Sequence, residues 1–326
     1  MPAEAVPVAE IVRNGFVEGH HYGSVVALDA DADVVWSVGD VESPILPRSC
    51  NKPVQALGMV RAGLELPPDL LALACASHSG EPFHIDGVRR ILASAGLSES
   101  DLQTPPDYPL DDAAREQVIR EGDVKTPILM NCSGKHAAML ATCVVNGWPT
   151  DSYRDASHPL QQSLATAFAE LTGAPLAATA VDGCGAPLFA ASLLGLARAF
   201  RLLVLGLDGA GSPDPACARI TEAIRAHPAY VSGTSRDERV LLTAIPGAIG
   251  KAGAECCYVV ALPDGRAFAL KADDGAARVR PVLMAAALGR SGVLEDDGID
   301  VEAVRRTGVF ELTGGDQVVG EIRACY

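Results

Sequence analysis

The sequence predicts a mixed fold of the α/β (α+β) class, in which strands from both ends of the chain form one sheet. Three observations predict it: a hairpin near the front, a second hairpin towards the back, and a helical stretch between them. Hydrophobic residues make up 48% of the 326 residues, so a large core is available and disorder is excluded as the dominant state. We find no repeat or clear linker and expect a single domain over residues 1–326.

The two hairpins are predicted from apolar segments that flank turn residues. The turns are Asp29–Asp33 and Pro263–Gly265. The flanking segments are residues 24–28 and 34–38 at the front, and 255–262 and 266–272 at the back.

Apolar residues at helical spacing predict helices through the middle and near the end of the chain. Glycines 96, 122, 147 and 173 follow four of these helices, at the position where glycine commonly ends a helix. The predicted bounds are 51–61, 83–95, 112–121, 135–146, 159–172, 187–199, 214–226, 276–288 and 299–306.

The charge balance argues against nucleic acid and anionic membranes as partners. There are 41 Asp and Glu against 26 Lys and Arg, a net charge of −15, which would repel phosphate groups. No apolar run reaches the roughly 18–20 residues of a membrane-spanning helix, and the N-terminus has no secretory signal pattern. We therefore expect a cytoplasmic protein whose nine cysteines are reduced thiols.

A candidate catalytic pair precedes the first helix, in residues 48–53, RSCNKP. Ser49 and Lys52 are three residues apart and would share a helix face. A desolvated lysine can take the proton of a serine hydroxyl and so make it a nucleophile. The alternative is that Ser49 only caps the helix and Lys52 is solvated, because so short a pattern also occurs by chance.

Reactive groups are concentrated in residues 75–84, CASHSGEPFH, just before a predicted helix. Two hydroxyls, two imidazoles and a carboxylate suit a substrate-binding or nucleophile loop. Ser77 or Ser79 could equally act as a helix cap, with Glu81 in the first turn.

Two further segments combine thiols with other polar groups. Residues 131–136, NCSGKH, place Cys132 and Lys135 three apart, and residues 181–187, VDGCGAP, place Cys184 between glycines. Two thiolates could bind Zn²⁺, although without a C-x-x-C pattern the spacing is a weak metal signal. The complete phosphate-loop pattern is absent, which argues against nucleotide binding.

A lysine between glycines, Lys251 in residues 250–255, GKAGAE, precedes a predicted strand and could project an ammonium group into a cleft. Lys271, at the end of the next strand, is the competing candidate. The alternative for Lys251 is an exposed turn lysine.

Taken together and in this order, the five motifs resemble those of the asparaginase II family, the rhizobial-type L-asparaginases, from about residue 13 to residue 280. The resemblance implies a fold similar to serine β-lactamases and glutaminases, hydrolysis of L-asparagine to L-aspartate and ammonia, and a homodimer. It also implies a zinc ion bound by Cys132, Lys135 and Cys184, which helps to position the substrate rather than to activate water.

The resemblance further implies two Ser–Lys pairs, Ser49 with Lys52 and Ser79 with Lys251. Lys271 is the alternative candidate for the second lysine. In the expected mechanism Ser49 attacks the side-chain amide, and Lys52 takes its proton and later passes one to ammonia. Backbone N–H groups at the helix start would hold the oxyanion.

Three more residues are expected in the site: Arg48 as a charge partner, and Asp182 and His136 as the groups that hold substrate and metal ligands. Which serine is the nucleophile stays open. A glutaminase, which would differ by one methylene of substrate, and a β-lactamase-like serine hydrolase are the enzymatic alternatives. A zinc-binding protein without turnover is the non-enzymatic one.

Overall fold

The structure, a computed structural model, describes residues 5–326. The strands are β1 Pro7–Arg13, β2 Phe16–Leu28, β3 Val34–Val38, β4 Pro44–Ile45, β5 Thr179–Val181, β6 Pro187–Phe189, β7 Ala191–Ser192, β8 Ile249–Gly253, β9 Cys257–Ala261, β10 Ala267–Ala272, β11 Phe310–Gly314 and β12 Gln317–Ala324. The helices are α1 Lys52–Arg61, α2 Pro68–Ala74, α3 Pro82–Ser94, α4 Asp112–Arg120, α5 Ser133–Asn146, α6 Pro159–Thr172, α7 Leu193–Leu205, α8 Pro215–Ala226, α9 Pro228–Val231, α10 Asp237–Ala244, α11 Arg280–Arg290 and α12 Val301–Thr307.

One antiparallel sheet of eight strands has the order β11-β12-β1-β2-β10-β9-β8, and β3 also pairs with β2. Strand β2 joins the two halves, because residues 16–22 pair with β1 and residues 23–28 pair with β10. The N-terminal strands therefore lie between two groups of C-terminal strands. The predicted sheet built from both ends of the chain, with a helical insertion between them, is confirmed.

Helices cover the central strands, and the remaining helices form the insertion. Helices α7 and α11 both pack on β9 and β10, while α1, α2, α3, α5, α6 and α8 pack on one another. Every residue of β9 is buried, which requires cover on both faces of the sheet at that position. No helix within residues 5–326 is long and apolar enough to cross a membrane.

Most predicted elements agree with the structure to within a few residues, but the helix predicted over 187–199 is wrong at its start. Residues 187–189 form β6, which pairs with β5, after a turn in which Gly185 has a φ of +84°. The helix α7 begins only at Leu193, where the Ser192 hydroxyl accepts a hydrogen bond from the Gly195 N–H at 3.0 Å. This side-chain cap fixes the helix start six residues later than predicted.

Candidate active site

A cavity of about 370 Å³ lies where β8 approaches the turn before α1. All five sequence motifs contribute to its wall, although they are distant in sequence. The residues that carry the motifs into the wall are Arg48, Ser49, Ser77, Asn131, Cys132, Asp182, Gly183, Cys184, Ala252, Gly253, Ala254 and Glu255. The fold thus brings together the segments that the sequence singled out.

Ser49 lies in a short 3-10 turn, Arg48–Asn51, that leads directly into α1. Arg48, the preceding residue, has a φ of +52°, which is uncommon for any residue but glycine. Its guanidinium donates to Asp182 Oδ1 at 2.8 Å and to Glu255 Oε1 at 3.3 Å. These ion pairs tie the unusual backbone beside Ser49 to two other parts of the cavity wall.

Lys52 is 1% exposed, and its contacts differ from those expected. Its Nζ donates to Ser77 Oγ at 2.9 Å and to the Ala76 carbonyl at 2.5 Å. Within residues 5–326 no hydrogen bond joins Lys52 to Ser49. The lysine of the first expected pair therefore contacts a serine of the second motif, across the same cavity.

Ser79 does not line the cavity, whereas Ser77 does. The Ser79 side chain is fully buried, and its Oγ has no hydrogen-bond partner among the described residues. It packs against Gly233, where a Cβ atom would overlap the Ser79 hydroxyl. The geometry therefore favours Ser77 as the serine that can meet a substrate, and Ser77 is the residue in this motif that the sequence reasoning passed over.

Lys251 lies fully buried in β8, beside the cavity-lining residues 252–255. Its Nζ donates to Glu238 Oε1 at 2.8 Å and to the Ala252 carbonyl at 2.8 Å. Burial lowers the pKa of Lys251 and outweighs the opposite effect of Glu238, and the nearby charge of Lys52 lowers it further. Two lysines thus stand side by side, but only one of them has a carboxylate partner.

Lys271 lies elsewhere. Its Nζ donates to the Glu255 and Ala272 carbonyls at 2.7 and 2.8 Å, and its side chain lines a separate cavity of about 170 Å³ with Asp40 and Asp273. Of the two candidates for the second lysine, the geometry favours Lys251.

The three expected zinc ligands converge at the cavity wall. Cys132, Lys135 and Cys184 are at most 3% exposed, and Lys135 Nζ lies 3.2 Å from Cys184 Sγ. A hydrogen bond from Cys132 lowers the pKa of Cys184 despite burial, and Lys135 lowers it further. The hydrogen bond with Cys184, followed by burial, raises the pKa of Cys132.

His136 lies behind these thiols. Its Nδ1 is 2.6 Å from the Tyr153 hydroxyl, and its Nε2 is buried without a hydrogen-bond partner among residues 5–326. Burial lowers the pKa of His136, while Cys184 opposes that shift. The imidazole therefore has a nitrogen without a hydrogen-bond partner near the Cys184 side chain.

This donor set fits zinc, because two sulfurs and nitrogen donors are the ligands that zinc prefers in proteins. The described residues contain no group of three or more His, Cys, Asp or Glu arranged to hold a metal ion. A zinc site here would therefore depend on the Lys135 amine as a ligand beside the two cysteines.

Comparison with protein families identifies the class. The family model described as L-asparaginase II matches residues 9–324, and the chain belongs to this family. It is therefore an enzyme, an amidohydrolase. A comparison with curated proteins gave no match.

Among solved structures, the chain is similar to a β-lactamase from Mycobacterium bovis, with 16% identity, a TM-score of 0.45, and coverage of 82% of this chain and 94% of that one. It is similar to EstCE1, a hydrolase with promiscuous acyltransferase activity, with 12% identity, a TM-score of 0.40, and coverage of 88% and 93%. A Bacillus subtilis glutaminase gives 10% identity, a TM-score of 0.35, and coverage of 81% and 84%. Likenesses this distant carry no conclusion about activity.

Proposed function

We propose that the protein hydrolyses L-asparagine to L-aspartate and ammonia, as a single-domain enzyme, through serine and lysine side chains. The observation that carries this proposal is the arrangement of Ser49 and Ser77 on one cavity with the buried Lys52 amine 2.9 Å from Ser77 Oγ. The family supplies amide hydrolysis as the reaction class. The expected cytoplasmic location and homodimer stay predictions.

In the proposed mechanism Ser49 attacks the side-chain amide carbon, and its proton passes by way of Ser77, which lines the same cavity, to the Lys52 amine. The first N–H groups of the 3-10 turn have no partner within that turn and are the candidate donors to the oxyanion. Ser77 then gives its proton to the leaving nitrogen and regains one from Lys52, since these two groups are in contact. Ammonia leaves, and an ester to Ser49 remains.

Water completes the cycle. It attacks the ester carbon and loses a proton to Lys52, and the Ser49 oxygen leaves and takes that proton back. The amine of Lys251, paired with Glu238, would as an ammonium favour the negative charge that develops in both steps.

The zinc ion is part of the proposal as a bound ion rather than a reactant. Cys132, Lys135 and Cys184 would hold it, with His136 as the nearest further nitrogen donor. When bound, zinc would supply a positive charge beside Asp182, whose side chain is tied to Arg48 on the cavity wall. The residues that would hold the ion keep this part of the cavity wall in place for the substrate.

The experiment is ammonia release from L-asparagine by the purified, zinc-supplemented protein, with L-glutamine in parallel. Ser49→Ala and Ser77→Ala are each expected to lower kcat by about 10²–10⁴-fold, the range for loss of a positioned catalytic group. Ser79→Ala is the matched control and is expected to stay within a few-fold of wild type, because Ser79 does not line the cavity.

Three results bear on the proposal in different ways. No ammonia from either substrate contradicts it. Full activity in Ser49→Ala contradicts the assignment of Ser49 as the nucleophile. Equal rates on L-asparagine and L-glutamine would make the protein a glutaminase-asparaginase. Both amides are tested because one methylene changes kcat/KM by only about 10–200-fold in a pocket.

A further inference from the structure

The cavity wall carries two arginines that the proposed mechanism does not use, Arg236 and Arg280. We propose that Arg280, assisted by Arg236, binds the free α-carboxylate of the substrate and so restricts the enzyme to amino acids with an unblocked carboxyl group. This inference rests on the proposed function, and it adds the residues that recognise the part of the substrate remote from the amide.

Arg280 is built into the wall rather than extended into solvent. It is 8% exposed, one Nη donates to Asp237 Oδ1 at 2.7 Å, and the guanidinium lies 5.5 Å from the centre of the Tyr258 ring. Its Nε is buried and has no hydrogen-bond partner among the described residues. A planar guanidinium held on two sides and with an unused donor is suited to bind a carboxylate.

Arg236 adds a second cation at the same wall. Its guanidinium makes no ion pair or hydrogen bond with another side chain in the part of the chain that the structure describes, yet it lines the cavity. Burial raises the pKa of the Tyr258 hydroxyl, and the charges of Arg280 and Arg236 oppose that shift. The two arginines line the wall of one cavity.

Among the described residues, no acidic side chain that lines the cavity forms an ion pair with either of these arginines. Asp237 and Glu238 lie behind the wall and do not line it, and Glu238 is already bound to Lys251. The carboxylates that do line it, Asp182 and Glu255, are both paired with Arg48. No carboxylate that lines the cavity is paired with Arg236 or Arg280. An anionic group of the ligand could therefore bind these arginines without displacing one.

The chemistry of the ligand follows from this distribution. The cavity is about 370 Å³, and its wall carries both the two serines and the two arginines. A compact amide that also has a carboxylate can contact both kinds of group, whereas an asparagine residue inside a peptide has no α-carboxylate.

The test compares L-asparagine with its α-methyl ester in wild type, Arg280→Met and Arg236→Met, by ammonia release. Wild type is expected to prefer L-asparagine by at least tenfold in kcat/KM. Each Met variant is expected to lower that preference about tenfold, mainly through KM, because a hydrogen bond to a charged group contributes about that much to affinity. Arg280→Lys should recover part of the preference, and the exposed Arg278→Met should match wild type.

The inference is overturned if both Met variants keep the wild-type preference for the free carboxylate. Arg236→Met keeps the test decisive where Arg280→Met fails to fold, because Arg236 has no buried acidic partner. If wild type releases no ammonia at all, the proposed function fails separately. Calorimetric binding of L-asparagine then decides: tighter binding by wild type than by Arg236→Met supports the carboxylate site, and equal or absent binding overturns it.

Discussion

The buried ion pair between Lys251 and Glu238 gives the sharpest prediction about stability. Both side chains are fully buried, and Glu238 Oε1 accepts from Lys251 Nζ at 2.8 Å and from the Ala252 N–H at 3.0 Å. Glu238→Gln keeps the size and the accepting oxygen but removes the negative charge. Lys251 would then be a buried ammonium without a negatively charged partner.

The magnitude follows from the cost of an unpaired buried charge. Breaking a buried pair from one side typically costs about 3–5 kcal/mol, and deprotonation of Lys251 relieves part of it, so we expect about 3 kcal/mol at pH 7. Burial, opposed by Glu238, already lowers the pKa of Lys251 below the unfolded value of about 10.4. The penalty is full below the folded pKa and is lost as the pH rises to the unfolded pKa.

The substitution lowers the folded pKa of Lys251 further, so the penalty grows at neutral pH and vanishes at high pH. Urea unfolding at pH 7 and pH 10 measures it: the difference between wild type and Glu238→Gln is expected to shrink to about 1 kcal/mol or less at pH 10. The double variant Glu238→Leu with Lys251→Met is the control and should unfold within about 1 kcal/mol of wild type, without activity. A difference independent of pH, or a double variant as unstable as the single one, would refute the reasoning.

Three further predictions concern the site. Cys184→Ser is expected to abolish the proposed zinc binding, measured by elemental analysis of zinc-supplemented wild type and of variant protein whose circular dichroism is unchanged. Lys271→Met should leave ammonia release within a few-fold of wild type, because its side chain lines the separate cavity of about 170 Å³ and not the active-site cavity. Gly253→Ala should lower kcat more than stability, because its Cβ would lie 2.7 Å from the Pro47 carbonyl and push β8 from the turn that carries Ser49; unchanged turnover in the assay would contradict this.

Local patterns were sufficient to predict much of the fold. The hairpin across Asp29–Asp33 and most of the helices are present, because each combines a clear period with a strong turn or capping signal. The strands β1, β8, β11 and β12 lacked that combination. Their pairing depends on partners from the other end of the chain, as in β1 between β2 and β12, and no local pattern specifies it.

The motifs gave the location of the site but not its internal contacts. Ser77 and Ser79 stand two residues apart in one polar loop, and only packing decides which of them faces the cavity: Gly233 covers Ser79. Arg236 and Arg280 carry no sequence signal, because a single arginine at a helix start usually belongs to a solvated surface. Only the structure shows that helices α10 and α11 place both arginines at the wall of the active-site cavity.

The different partners of the two buried lysines argue for different roles. Lys251 has a carboxylate partner, whose negative charge favours the ammonium form. Lys52 contacts a carbonyl and a hydroxyl, and a neutral amine satisfies both, since it can donate to Ala76 and accept from Ser77. A group that exchanges protons must be stable in both protonation states where it stands. The contacts therefore suit Lys52 to proton transfer and Lys251 to electrostatic support, although the sequence presents both simply as lysines within short motifs.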